Sequence, residues 1–255
     1  MMDSQEGQVR LIDGATIPEV ELAQSLKPVA DLVTNTCEFF FKGKMSSPRF
    51  PFKGFILTGP PGTGKTEVVK QCVRKLDRRI RNVAYVLIDG ASIASPRWGD
   101  AEKSLRSVFS KSRETADSPK ARKVIILFDD VESLMLARGA DLAKEWHYSI
   151  NSVLFHEIDD LDPTKMLVMA TTNRFDLIDD ALASRLYKIE VPSIEVQELR
   201  VVVNNILSES DIDQKNLEEV EKRVIAKLSK LKQPTIRDAQ QLTVIDCIEN
   251  GVWSI

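Results

Sequence analysis

A chain of 255 residues with 35 basic and 38 acidic side chains has a net charge of −3, which excludes a global basic field for gripping nucleic acid. Hydrophobic residues make up 43% and charged residues 29%, the balance of a globular protein with room for one large domain and a small appendage. The three cysteines, Cys37, Cys72 and Cys247, are odd in number, far apart and never in a C-x-x-C pair, which argues against a zinc site or a disulfide framework. In chain order, the acidic start from Met1 to Glu6 lacks the apolar core of a signal peptide. No later run approaches the ~20 apolar residues of a membrane span, so a cytoplasmic protein with no membrane partner is expected. Residues 1–53 form an N-terminal segment without a nucleotide motif, in which Glu19 to Phe41 reads as helix, kinked or split at Pro28. From Gly54, apolar runs alternate with helical stretches: strands are expected at 54–58, 83–89, 124–129, 166–171 and 186–191, and helices near 66–77, 101–116 and 142–158. Continuous apolar runs suit parallel strands buried on both faces. Residues 54–192 are therefore expected to form a three-layer αβα domain with right-handed crossovers. After Pro192 the pattern is helical only, near 195–208, 216–231 and 235–249, giving a small all-helical unit over 193–255.

Between the first strand of that domain and its first helix lies Gly59-Pro60-Pro61-Gly62-Thr63-Gly64-Lys65-Thr66. Glycines at 59, 62 and 64 let the backbone curl until successive N–H groups point at phosphate oxygens. The helix start behind them adds partial positive charge. In this strand–turn–helix context Lys65 is expected to reach the β- and γ-phosphates of ATP, and the Thr66 hydroxyl to ligate Mg²⁺. The fold class follows as a P-loop nucleotide-binding domain with a helical lid.

The third strand of the domain ends in Phe128-Asp129-Asp130-Val131-Glu132. An apolar strand ending in acid brings a carboxylate to the sheet edge where a nucleotide-bound metal must sit. Asp129 is the candidate for the metal, and Asp130 for polarising the attacking water. The next strand delivers Met169-Ala170-Thr171-Thr172-Asn173-Arg174, and Asn173 is placed to sense the γ-phosphate or the water.

Together these residues resemble the AAA family of the AAA+ ATPases, over roughly 54–245. The resemblance rests on GPPGTGKT at 59–66, the acids at 129–132, ATTNR at 170–174 and DDALASR at 179–185. It implies ATP hydrolysis between the protomers of an ATP-stabilised homo-oligomer, usually a hexamer, that remodels, unfolds or disassembles a protein client. It further implies that Arg185 is an arginine finger for the neighbouring subunit's phosphates; the second arginine common in relatives is absent, the nearest cation being Lys188. Pro234-Thr235-Ile236-Arg237 looks like the lid motif in which Arg237 contacts nucleotide in its own subunit, and a plain surface helix capped by Thr235 is the competing view. Ser95-Pro96-Arg97-Trp98-Gly99 resembles a substrate-gripping pore loop, with Arg97 in the aromatic slot and Trp98 one residue late. Asp130 stands where the family has glutamate, so hydrolysis is expected to be slow but real. Asp130-Val131-Glu132-Ser133-Leu134 looks most like the pachytene-checkpoint group, which acts on HORMA-domain proteins; with no room for a recruiting domain before residue 50, an adaptor or the pore face would bring the client.

Two other functions fit parts of the chain. Lys75, Arg78, Arg79 and Arg81 form a basic cluster that a nucleic-acid machine would use, although a solvated helix end is the plainer reading. Asp130 alone favours a nucleotide-gated scaffold that assembles with ATP and scarcely hydrolyses it.

Overall fold

The computed structural model describes residues 10–43, 51–89, 100–120, 122–134, 145–208 and 214–253. Its sheet has six strands: β1 (Leu11–Asp13), β2 (Gly54–Thr58), β3 (Val83–Asp89), β4 (Lys123–Asp129), β5 (Met166–Thr172) and β6 (Tyr187–Glu190). They lie in the order β1-β3-β4-β5-β2-β6, parallel except for β1, which runs antiparallel to β3. The central strands divide their side chains by parity. Phe55, Leu57, Ile125, Leu127 and Met169 enter one core, and Ile56, Val124, Ile126, Phe128 and Val168 enter the other. Alternate residues of a strand face opposite ways, so a run apolar at every position requires a layer on each side. Helices α1 (Lys27–Phe41) and α2 (Lys65–Ile80) supply the first layer. Helices α3 (Asp100–Asp117) and α4 (Glu145–Asp159), with the short α5 (Asp180–Ala183), supply the second.

The central strands approach closely enough to forbid a side chain at one point. A Cβ on Gly54 would lie 1.7 Å from the Val168 carbonyl oxygen on β5. Gly54→Ala is therefore expected to cost about 3 kcal/mol, read as a fall in the thermal midpoint; an unchanged midpoint would contradict this strand register.

The amino-terminal region departs from expectation. The helix begins at Lys27, and Pro28 sits in its first turn rather than kinking it, because proline's fixed φ suits that turn and its missing N–H has no partner to lose there. Residues 18–23 form no helix or strand and work as a strap. The Pro18 carbonyl accepts from Gln71 Nε2 on α2 at 2.9 Å, and Glu19 accepts from both terminal nitrogens of Arg78 at 2.9 and 2.6 Å. At its far end the main chain of Glu21 meets the side-chain amide of Asn205, as donor at 3.3 Å and acceptor at 2.8 Å.

Asn205 belongs to the lid, built from α6 (Arg200–Leu207), α7 (Gln214–Leu228) and α8 (Ile236–Glu249). Its apolar residues Val203, Val224, Leu228 and Cys247 join the same core as α1 and α2, so the lid packs on the α/β layers. Asp246 of α8 is fully buried and accepts from Arg223 Nε and Lys227 Nζ of α7, each at 2.8 Å. A carboxylate out of water needs such partners, and here they tie two lid helices together. All three cysteines are free and buried. Among the described residues no helix is long and apolar enough to cross a membrane.

Candidate functional site

The register brings three chain segments to one point at the carboxyl edge of the sheet. Thr58 pairs with Thr172, and Phe128 with Ala170. The turn after β2 therefore emerges beside the ends of β4 and β5. Gly62 and Gly64 in that turn have φ of +74° and +85°, which L side chains rarely adopt. Neither has room for one either, since Cβ atoms there would lie 2.8 Å from Thr235 Cβ and 2.7 Å from Ile236 Cδ1. The first turn of α8 thus rests on the loop, and Ile236 N donates to the Gly62 carbonyl at 3.0 Å. Between them is a cleft of about 430 Å³, lined by loop residues, Lys70, Asp129, Asp130, Asn173 and Arg237.

Within the cleft, Lys65 is 6% exposed. Its ammonium donates to the carbonyls of Gly59 at 2.9 Å and Pro60 at 2.8 Å, and to Asn173 Oδ1 at 2.7 Å. Burial lowers its pKa, while the charges of Asp130, Glu132 and Asp129 act the other way. The Asn173 amide continues the chain, donating through Nδ2 to Asp130 Oδ1 at 3.1 Å. Partial desolvation, and then the charges of Glu132 and Asp129, hold the Asp130 carboxyl above the ordinary aspartate range. A higher pKa makes a stronger base of this carboxylate.

Asp129 accepts two hydroxyl protons on the same oxygen, from Thr66 and from Thr171, each at 2.6 Å. Donating its proton leaves the Thr66 oxygen with lone pairs to offer. A hydroxyl and a carboxylate side by side suit a hard cation that takes few protein ligands and fills its shell with water and phosphate oxygens. Among the described residues no cluster of three acidic, histidine or cysteine side chains could hold a metal alone.

Pattern reading missed Thr171 and Glu132. Thr171 is 1% exposed and also accepts from the Asp130 main-chain N–H at 3.1 Å, so it fixes both acids. Its signal was available in strand parity, since it lies two residues before Asn173 and beside Asp129. Glu132 Oε1 accepts from the Asn173 main-chain N–H at 3.0 Å, a contact between loops with no sequence pattern.

The remaining candidates are dispersed. Arg237 lies in the first turn of α8 at the cleft wall, behind the expected Thr235 cap, whose hydroxyl accepts from Asp238 N at 3.2 Å. Arg185 lies at the opposite edge of the sheet, its carbonyl accepting from Lys53 N just before β2 begins. The five residues of β2 put about 16 Å between it and its own loop. Its guanidinium makes a two-pronged pair with Asp159 at 2.8 and 2.7 Å, and lies 5.0 Å from the Phe155 ring centroid. Lys188 Nζ sits 4.0 Å from the Phe175 ring centroid. Arg97, Trp98 and Gly99 fall outside the described residues. In the basic cluster, Lys75 pairs with Asp31, Arg78 with Glu19 and Arg79 with Glu38.

A parallel sheet with a glycine loop, a buried lysine and a strand-end acid at its carboxyl edge defines a P-loop nucleotide-binding protein. The family model for the ATPase family associated with various cellular activities (AAA) matches residues 55–193, and the chain belongs to that family. An AAA ATPase forming ring-shaped complexes from Corynebacterium efficiens is 33% identical over 136 residues, covering 52% of this chain and 26% of that protein. A proteasome-associated ATPase from Streptomyces griseus is 33% identical over 159 residues, covering 57% and 27%. The chain thus spans about a quarter of the length of these curated relatives. Among solved structures, a chain of the E. coli MS115-1 HORMA:CdnC:Trip13 complex superposes with a TM-score of 0.63 at 15% identity, covering 92% of this chain and 94% of that one. At that identity the likeness is one of fold.

Proposed function

We propose that this protein binds ATP with Mg²⁺ in the cleft beneath α8 and hydrolyses it slowly, within a ring of like chains that remodels a protein client in the cytoplasm. The observation that carries this reading is the continuous link Lys65–Asn173–Asp130 beside the Thr66–Asp129 pair. In it the phosphate-binding cation, the γ-phosphate sensor and the base for water share hydrogen bonds, so a change at the phosphates is felt at the base. Residues 59–66 with Arg237 would hold the nucleotide, and Thr66 and Asp129 its metal. The chain is accordingly proposed to divide into an N-terminal helical and linker segment at 1–53, the nucleotide domain at 54–192 and the lid at 193–255. Phosphate release and particle mass, measured together with and without ATP, test the proposal. ATP-dependent assembly with slow turnover supports it; failure to bind ATP, or full-speed turnover by single chains, overturns it.

Arg185 is the proposed contribution to the next protomer, because its own cleft is out of reach. On that reading Arg185→Ala and Lys65→Ala chains are each inactive alone, and mixing them restores hydrolysis where an intact loop meets an intact arginine. Mixed rings as inactive as either parent would make Arg185 a fold-stabilising partner of Asp159.

The client is proposed to be a HORMA-type protein met through an adaptor or the 97–99 loop, a reading supported by the five residues from Asp130 and compatible with the Trip13-complex fold. The internal ion pairs of the basic cluster weigh against nucleic acid, and oligonucleotide binding without salt dependence would agree. Asp130 keeps the nucleotide-gated scaffold as a second reading, distinguished by assembly with negligible phosphate release.

A further inference from the structure

We propose that Glu132 is a positioning residue for Asn173: by holding the Asn173 main-chain N–H, it sets the amide that joins Lys65 to Asp130. The inference rests on the reading of Asn173 as the nucleotide sensor. Asn173 follows β5 by one residue, in a stretch where sheet pairing has ended; the pairing of β5 with β2 closes at Thr172. Its main-chain N–H is therefore free of the ladder and needs another acceptor. Glu132 Oε1 supplies it at 3.0 Å, reaching across from the turn after β4. The side-chain amide is then fixed at both ends, as acceptor from Lys65 at 2.7 Å and as donor to Asp130 at 3.1 Å.

The way Glu132 is presented supports a dedicated role. The left-handed turn at Asp130 redirects the chain into a short 3-10 turn over Val131–Ser133. Ser133 closes that turn with two bonds to the Asp130 carbonyl, from its N–H at 3.1 Å and its hydroxyl at 2.9 Å. Val131 is 1% exposed and anchors the turn in the second core. Glu132 Oε2 is buried without a hydrogen-bond partner, which is costly for a carboxylate oxygen. A residue kept at such a cost for one main-chain bond is expected to matter where that bond acts, at the geometry of Asn173.

Two conservative variants separate reach from charge. Glu132→Gln keeps the length and an acceptor oxygen and loses the charge. Glu132→Asp keeps the charge and withdraws the acceptor by one methylene. If Glu132 positions Asn173, the Gln variant keeps the parental preference for an ATP analogue over ADP, and its turnover falls less than that of the Asp variant, by the loss of a charge that helps hold the Asp130 carboxyl up. The Asp variant loses kcat on the order of tenfold, with KM held, and its preference for an ATP analogue over ADP falls toward that of Asn173→Ala. The binding preference is read with fluorescent ATPγS and ADP, independently of turnover. Loss in Gln with retention in Asp assigns Glu132 to the electrostatics of the cleft and overturns the positioning role, as does parental behaviour in both. Should Asn173→Ala itself leave the preference untouched, the sensor reading fails and this inference with it; an effect in Asn173→Ala with none in Glu132→Asp sinks the inference alone.

Discussion

Replacing Lys65 by alanine is expected to weaken ATP binding roughly 10²-fold or more, the range for removing one partner of a buried charged contact. The parent's lysine is held among three acceptors, two loop carbonyls and Asn173 Oδ1, in a cleft lined by Asp129 and Asp130, with the charge of Glu132 also acting on it. Without it the three acids remain and the cleft loses the buried cation that offsets them. A triphosphate would then meet net repulsion close to its γ-end. Protein stability should change far less than affinity, because the three lost hydrogen bonds are set against relief from burying an ammonium. Lys65→Arg should fare little better, since a planar guanidinium cannot take the same point position between the Gly59 and Pro60 carbonyls. Titration with a fluorescent ATP analogue, alongside a thermal melt, checks both halves. Parental affinity in Lys65→Ala would remove the loop from the binding site.

What the sequence made legible was whatever is encoded locally or by burial on both faces. Strands β2 to β5 stood out because their central runs are apolar on both faces, and the sheet order then brought the 59–66 turn, Asp129 and Asn173 together. The three-residue β1 is too short to carry a pattern, and its neighbour, the 18–23 strap, takes its shape from partners on α2 and α6 far along the chain. Pro28 was ambiguous for a related reason: a proline inside a helix and a proline opening one look alike until the preceding residues are seen to be held elsewhere. At the site, Lys65, Thr66 and Asp129 follow from motif spacing. Thr171 was within reach of strand parity, whereas Glu132 and the Asp159 partner of Arg185 come from tertiary contacts that no spacing rule reaches. The backbone at Asp130 was also hidden, since a left-handed residue is announced reliably only by glycine.

That backbone decides the second large effect, in the Asp130 series. Asp130 sits at φ 50° and ψ 55°, a region that aspartate and asparagine visit more readily than longer side chains. Asp130→Asn therefore keeps the turn and removes only the basic carboxylate. It is expected to bind ATP like the parent and to hydrolyse it roughly 10²-fold more slowly or worse, the usual worth of a positioned base. Asp130→Glu poses two opposed effects. The extra methylene moves the carboxylate toward the position the family uses, and recovering about 1 Å of misplacement can raise the rate up to ~10²-fold. The left-handed turn meanwhile charges glutamate about 1 kcal/mol, lowering the thermal midpoint, and the longer side chain must renegotiate the 3.1 Å bond from Asn173 Nδ2. Faster turnover with a lower midpoint is the expected combination. It would mean that the chain has a slow catalytic site matched to its own backbone turn, and that speed has been exchanged for stability at this residue. Turnover in Asp130→Asn equal to the parent's would instead remove the carboxylate from catalysis, and only if both rates were negligible would the chain be left as a nucleotide-gated scaffold whose ATP serves assembly.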